Sequence, residues 1–309
     1  MKKEIIILLA VIVALSGYLF TRNTDGTNYT LPELDSIAAE DVDRMEIKKG
    51  PETLLLEKRG EDWTVDTEGF PAKKEAVAKL IQAAGDLSLT ALVSETESYG
   101  RYDLSPDKAT RASLFKGDTL LRTVSIGKAA PSRGHTFVTV GDDKNVYHAQ
   151  GNVNGQFSTD PERFIDKRVF SFNASDVASL TITQGETPLT LTRATETADT
   201  SSAPKTAWKD EDGTPLDSET VDTITTALSN LTCDSWLTET PNGTPLALTL
   251  TITTDRPYTL NLFGDPPTQG STPDKELAFT LSDSSSKTIM AAVKSLLGKD
   301  DPGQAHAVN

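Results

Sequence analysis

"DVDRMEIKKG" (41–50) and "DVASLTITQG" (176–185) open on the same Asp-Val pair and close on the same glycine. Between those ends the apolar side chains alternate with polar ones, Met45 and Ile47 in the first stretch, Leu180 and Ile182 in the second. A period of two marks a strand with one buried face. A pattern written twice predicts a chain assembled from two copies of one unit.

The residues after each stretch extend the match. After Gly50 come Leu54 and Leu56, a turn at Arg59-Gly60, then Trp63 and Val65; after Gly185 come Leu189, Leu191 and Trp208. Each copy therefore predicts a three-stranded antiparallel meander. Four positions separate Arg59 from Trp63, whereas fifteen separate Arg193 from Trp208, and the added residues of "ATETADTSSAPKTA" (194–207) are small and polar, as a surface loop requires. Next comes Gly-x-Pro, "GFP" at 69–71 and "GTP" at 213–215. Proline in a first helical turn forfeits no hydrogen bond, so a helix is expected to begin at each. Val77, Leu80, Ile81, Ala84 and Leu87 form one helical face, matched at a constant offset by Val221, Ile224, Thr225, Leu228 and Leu231. "SET" (94–96) or "TET" (238–240) then leads into further strands, among them "TVSIG" (123–127) and "TLNLFG" (259–264).

The fold class expected is α+β: two tandem copies of an antiparallel β-sheet unit, each with one packed amphipathic helix, after an N-terminal transmembrane helix. The divisions are a signal anchor at 1–24, a first repeat at 25–160, a joining segment at 161–172, a second repeat at 173–298 and a flexible tail at 299–309. Phe164, Ile165, Phe170 and Phe172 make the joining segment too apolar for a free linker, so it is expected to pack against both repeats.

Composition bounds the function. Thirty Lys and Arg against forty-five Asp and Glu give a net charge of -15, which repels phosphate backbones and argues against a nucleic-acid partner. The strongly apolar run "IIILLAVIVALSGYLF" (5–20) follows Lys2 and Lys3 and precedes Arg22. Its sixteen residues reach about 24 Å as a helix, against a hydrocarbon core of about 30 Å. Ala14-Leu15-Ser16 before Gly17 would serve a signal peptidase. Tyr18 and Phe20 sit where an aromatic belt belongs, and the flanking cations can snorkel, so an uncleaved anchor is the expectation, with the lysines inside and the body exported. Cys233 is the only cysteine, so the body has no internal disulfide; aligned opposite Leu89, it reads as a small buried hydrophobe.

The chain carries no Gly-x-Ser-x-Gly, His-Glu-x-x-His, Cys-x-x-Cys, Walker loop or Gly-x-Gly-x-x-Gly. No catalytic, cofactor-binding or metal-binding residues are assigned. His135 and His148 flank the hairpin "HTFVTVGDDKNVYHA" (135–149) and could share a face, but no third metal ligand is specified. Asp210, Glu211, Asp212, Asp217 and Glu219 crowd "KDEDGTPLDSE" (209–219), yet Gly213 comes too early for a calcium loop, and a solvated turn before a helix explains them. Asn28, Asn173, Asn230 and Asn242 each begin Asn-x-Ser/Thr, which so Thr-rich a chain produces by chance. Trp63 and Trp208 at matching strands read as core pillars. "ESYGRYDLSP" (97–106) has no clear partner in the second copy and offers Tyr99, Arg101 and Tyr102, residue types that anchor interfaces. They are the candidate partner contact.

"GEDWTV" (60–65), the helix after "GFP", "YGRYDLSP" (99–106), "VSIGK" (124–128), "HTFV" with "VYHA", and "FIDKRVF" (164–170) together resemble the bacterial family called domain of unknown function 4340. In that family a leucine usually follows the Tyr-Gly pair; here Arg101 and Tyr102 intervene before Leu104. The resemblance implies an anchored envelope protein of a family often encoded beside ABC-type export permeases of the gliding-motility kind, with no catalytic residues to transfer. The expected function is thus a non-enzymatic accessory subunit in the bacterial inner membrane, body in the periplasm, partnering a membrane complex such as an ABC-type permease. A periplasmic module that binds glycan or lipid is the alternative, and a hydrolase with acids gathered from distant positions stands behind both.

Overall fold

Alternation in the two opening stretches becomes burial. Met45 and Ile47 are fully buried, and so are Leu180 and Ile182, while their polar neighbours face outward. The computed structural model describes residues 2–21, 29–132, 134–196, 205–241 and 243–298. The tail at 299–309, most of the inserted loop, Arg22, Asn28 and Asn242 lie outside the described residues.

Helix α1 (Lys2–Thr21) holds the apolar run. The first sheet comprises β1 (Arg44–Lys49), β2 (Glu52–Arg59), β3 (Asp62–Val65), β4 (Phe70–Pro71), β5 (Leu89–Ser94), β6 (Thr110–Lys116), β7 (Thr119–Ala129), β8 (His135–Val140) and β9 (Val146–Gln150), with α2 (Lys74–Gly85) between β4 and β5. The second comprises β10 (Ser179–Thr183), β11 (Pro188–Glu196), β12 (Lys205–Lys209), β13 (Ser235–Leu237), β14 (Leu246–Thr253), β15 (Pro257–Gly264), β16 (Pro267–Thr272) and β17 (Leu277–Thr280). Helix α3 (Ser218–Ser229) lies between β12 and β13, and α4 (Asp283–Leu297) follows β17.

The strand orders are β4-β3-β2-β1-β6-β7-β8-β9-β5 and β12-β11-β10-β14-β15-β16-β17-β13. Without β4 the two orders are the same, strand for strand. Each sheet is antiparallel, and the fold is α+β, with two sheets and four helices among the described residues. By contacts the chain divides into two compact units, Met1–Trp63 with Lys74–Arg163, and Thr64–Lys73 with Phe164–Asn309.

In the first unit α2 packs Val77, Leu80, Ile81 and Ala84 against β6 and β7. Arg122 of β7 caps that helix from outside, its guanidinium donating to the Gly85 carbonyl at 2.6 Å and the Ala84 carbonyl at 3.3 Å, and to the Asp35 carbonyl. The last carbonyls of a helix need such donors. In the second unit the Phe172 N–H serves Ser229 at 3.1 Å, and Val169 N–H serves Leu231 at 2.7 Å, so the segment from Phe164 onward is stitched to the end of α3. Phe170 and Phe172 close over Tyr258 with ring centroids at 5.6 and 4.8 Å.

Two expectations need correction. Neither helix begins at its Gly-x-Pro: Phe70–Pro71 pairs back on β3, Pro215 bridges Lys209, and the helices start three residues later, at Lys74 and at Ser218 behind an Asp217 cap. The proline closes a strand return before each helix. Also, the second unit carries two helices, not one. Helix α4 buries Ile289, Val293 and Leu296 behind a Ser282 cap, a spacing that the sequence does show.

The expected transmembrane segment falls on α1. Its described side chains include Ile5, Ile7, Leu8, Val11, Ile12, Val13, Leu15 and Tyr18, all 48 to 66% exposed. Those of Lys2, Lys3, Glu4, Ile6, Leu9, Leu19, Phe20 and Thr21 lie outside the described residues. Among the described residues no helix is long and apolar enough to cross a membrane.

Candidate functional site

The segment 95–109, between β5 and β6, contains a 3-10 helix at Tyr99–Tyr102. Tyr102 tilts onto Phe137 with ring centroids 4.8 Å apart, and the Tyr99 hydroxyl donates to the Lys144 carbonyl at 3.0 Å. Both tyrosines are half-buried against Leu104, Ala130, Phe137 and Val146. Arg101 is exposed. The structure thus sets the two tyrosines into the sheet face opposite α2 and leaves Arg101 alone in solvent. How closely the segment presses is read at Gly127 of β7, where a Cβ would collide with the Tyr102 carbonyl oxygen and stand 3.0 Å from Leu104.

Beside this segment lies a groove of about 350 Å³, the size of a small-ligand site. Its floor is a cross-strand row: Lys48 of β1 stands opposite Arg111 of β6, Arg111 opposite Ser125 of β7, and Ser125 opposite Thr139 of β8. Tyr99, Leu104 and Pro106 form one wall; Gly141, Asp142, Asp143 and Lys144, in the turn between β8 and β9, form another. Most of the wall chemistry is already committed. Lys144 pairs with Glu97 at 2.7 Å, and that hydrogen bond holds its pKa above the ordinary lysine value. Asp143 accepts from Tyr147 at 2.6 Å and from the Asn145 N–H at 2.9 Å; burial, then this carboxylate, raises the Tyr147 pKa.

His135 and His148 do share a face, rings stacked at 5.4 Å, with His148 also tilted on Phe137 at 4.9 Å. Burial, then the neighbouring His135, lowers the His148 pKa. Among the described residues no three His, Cys, Asp or Glu side chains converge to hold a metal ion. Cys233 is buried, and burial pushes its thiol up to about 11, which keeps it protonated and unreactive at neutral pH. Asp210 accepts the Thr214 N–H at 2.7 Å to close a turn, and Asp217 caps α3. Trp63 and Trp208 are both buried, Trp208 donating its Nε1–H to Asp222 at 3.0 Å.

A family model described as a domain of unknown function (DUF4340) matches residues 63–260, more than half of the chain. The chain belongs to that family. No curated protein and no solved structure shows a significant match. The DUF4340 match runs from the third strand of the first sheet to β15, so it takes in Arg111, Ser125 and Thr139 of the groove but begins after Lys48.

Sequence reasoning missed the groove. Lys48, Arg111, Ser125 and Thr139 are scattered along the chain, and only the strand register sets them in one row.

Proposed function

We propose that this DUF4340 protein is a membrane-anchored envelope protein, held by α1 with its body outside the bacterial inner membrane. There it acts without catalysis as an accessory subunit of a membrane complex. An ABC-type export permease is the partner to which the family resemblance points. The observation that carries this reading is where apolar side chains are exposed. Eight of the ten large exposed hydrophobics lie on α1, around its whole circumference; Leu120 and Leu246 are the others among the described residues. An all-round apolar helix suits a bilayer or a helical partner within it. Its apolar run, residues 5–20, reaches about 24 Å, short of the hydrocarbon core by itself, so the flanking Lys2, Lys3 and Arg22 would complete the span by snorkelling.

A short anchor binds weakly by itself, so a second contact through the body raises the effective affinity. Arg101 suits that contact, exposed on a segment that the tyrosines fix in place, and an arginine that serves as an interface hot spot is worth about 2 kcal/mol. The test is crosslinking and pull-down of the full chain from detergent-solubilised membranes. We expect a membrane permease to be recovered, and Arg101→Glu to reduce its recovery without lowering Tm. Recovery of no membrane protein sinks the accessory reading in favour of a body that works by binding a ligand.

A further inference from the structure

Opposite one another on neighbouring strands, like charges destabilise a sheet. Lys48 and Arg111 are such a pair. The second sheet shows that the fold does not need them: the same row there runs Thr183, Thr249, Asn261, Ser271, without a charge. Its Thr249 hydroxyl donates to Asn261 Oδ1 at 3.0 Å. In the first sheet the row is open to a ligand. Lys48 gives one bond to Glu46 at 2.8 Å. The Arg111 guanidinium and the Ser125 and Thr139 hydroxyls make no hydrogen bond or ion pair among the described residues. One row away, Ser113 and Thr123 satisfy each other at 3.0 Å.

We propose that the groove over Lys48, Arg111, Ser125 and Thr139 binds a phosphate group, free or carried on a small ester or lipid headgroup. Two cations match a dianion, the planar guanidinium offers paired donors, and two hydroxyls supply further donors to a tetrahedral oxyanion. The groove carries three cations against two carboxylates in a chain whose net charge is -15. Asp143 is already engaged by two donors, which leaves Asp142 as the uncommitted carboxylate on the rim. The Glu46 carboxylate holds Lys48 in position while leaving its other ammonium protons to the ligand. This site stands apart from the anchoring and from any contact through Arg101.

The test uses the full chain in neutral detergent micelles and a double variant, Lys48→Thr with Arg111→Thr, which installs the residues of the second sheet. Because the second sheet folds with these residues, the variant keeps a valid fold, and its unliganded Tm should equal or exceed that of the native chain. Inorganic phosphate and glycerol phosphate are titrated against chloride at matched ionic strength. In a second arm, the chain is placed in phosphatidylcholine bilayers with and without phosphatidic acid, whose phosphomonoester headgroup carries the second charge that phosphodiester lipids lack. The native chain should gain about 2–4 °C in Tm at saturating ligand, and the variant should lose that gain. A gain with the soluble phosphates supports a free ligand; a gain only with phosphatidic acid supports a lipid headgroup. Equal gains in native chain and variant, or no gain in either arm, overturn the proposal.

Discussion

At the register position where the first sheet has Gly127, the second has Phe263, one step past the paired Ile126 and Leu262. The glycine sits under Tyr102 and Leu104; in the second sheet the connection between β13 and β14 is short, and a half-buried phenylalanine takes the place. On the other face the two sheets barely differ. Met45 answers Leu180, Ile47 answers Ile182, Leu56 answers Leu191, and all six are fully buried. A shared buried face maintains one strand order in both units, since a one-residue slip would turn that face outward. The outward face is free to diverge, and there the first unit carries a covering segment and a charged row that the second lacks.

The largest effect should come from the buried face. Trp208 is 1% exposed and bonded to Asp222, with the Arg193 guanidinium 5.1 Å from its ring centre; Trp63 is 9% exposed. Trp208→Ala should cost about 3–5 kcal/mol, from lost burial and the cavity left behind. Trp63→Ala should cost less. Urea unfolding, followed by hydrogen exchange resolved to each unit, checks the order; a larger loss at Trp63 would break the equivalence of the two pillars.

A middle-sized effect should appear where the sheets differ most. Gly127→Ala sets a methyl group against a backbone carbonyl, so the segment must lift. The cost should be about 1–3 kcal/mol, as overpacking typically is. Amide exchange should quicken at Tyr102 and Leu104 while β1 and β2 stay protected. Unchanged exchange in the segment would show that it rests on the sheet less closely than the contacts state.

Much of this was legible in the sequence, for a physical reason. Burial imposes a period, and the periods of Met45/Ile47, Val77/Leu80/Ile81/Ala84 and their second-copy partners marked strands and helices without any tertiary knowledge. The helix starts were misplaced because proline suits a strand return as well as a first turn, and only the pairing of Pro71 with Thr64 decides between them. The candidate contact was half legible: Tyr99 and Tyr102 look like interface residues by type, but type does not reveal that Phe137 and Lys144 have already engaged them. The groove was hidden altogether, because a row across four strands has no sequence spacing of its own.

The smallest effect tests the charged row from the opposite side. Thr183→Lys with Thr249→Arg would give the second sheet the facing cations of the first, on half-exposed positions whose backbone pairing already matches. Repulsion across the pair should cost about 0.2–1 kcal/mol. Loss of the Thr249–Asn261 hydrogen bond adds about 1 kcal/mol. The two contributions separate by salt. Repulsion between exposed charges is screened as ionic strength rises, whereas the lost hydrogen bond is not. Unfolding of this variant at low and at high sodium chloride should therefore recover part of the deficit, and Thr249→Ala alone should show a deficit that salt leaves in place. If added salt restores nothing to the double variant, facing cations are not costly on this face. Lys48 and Arg111 would then need no ligand to account for their presence, and the second sheet would differ from the first in chemistry without differing in strain.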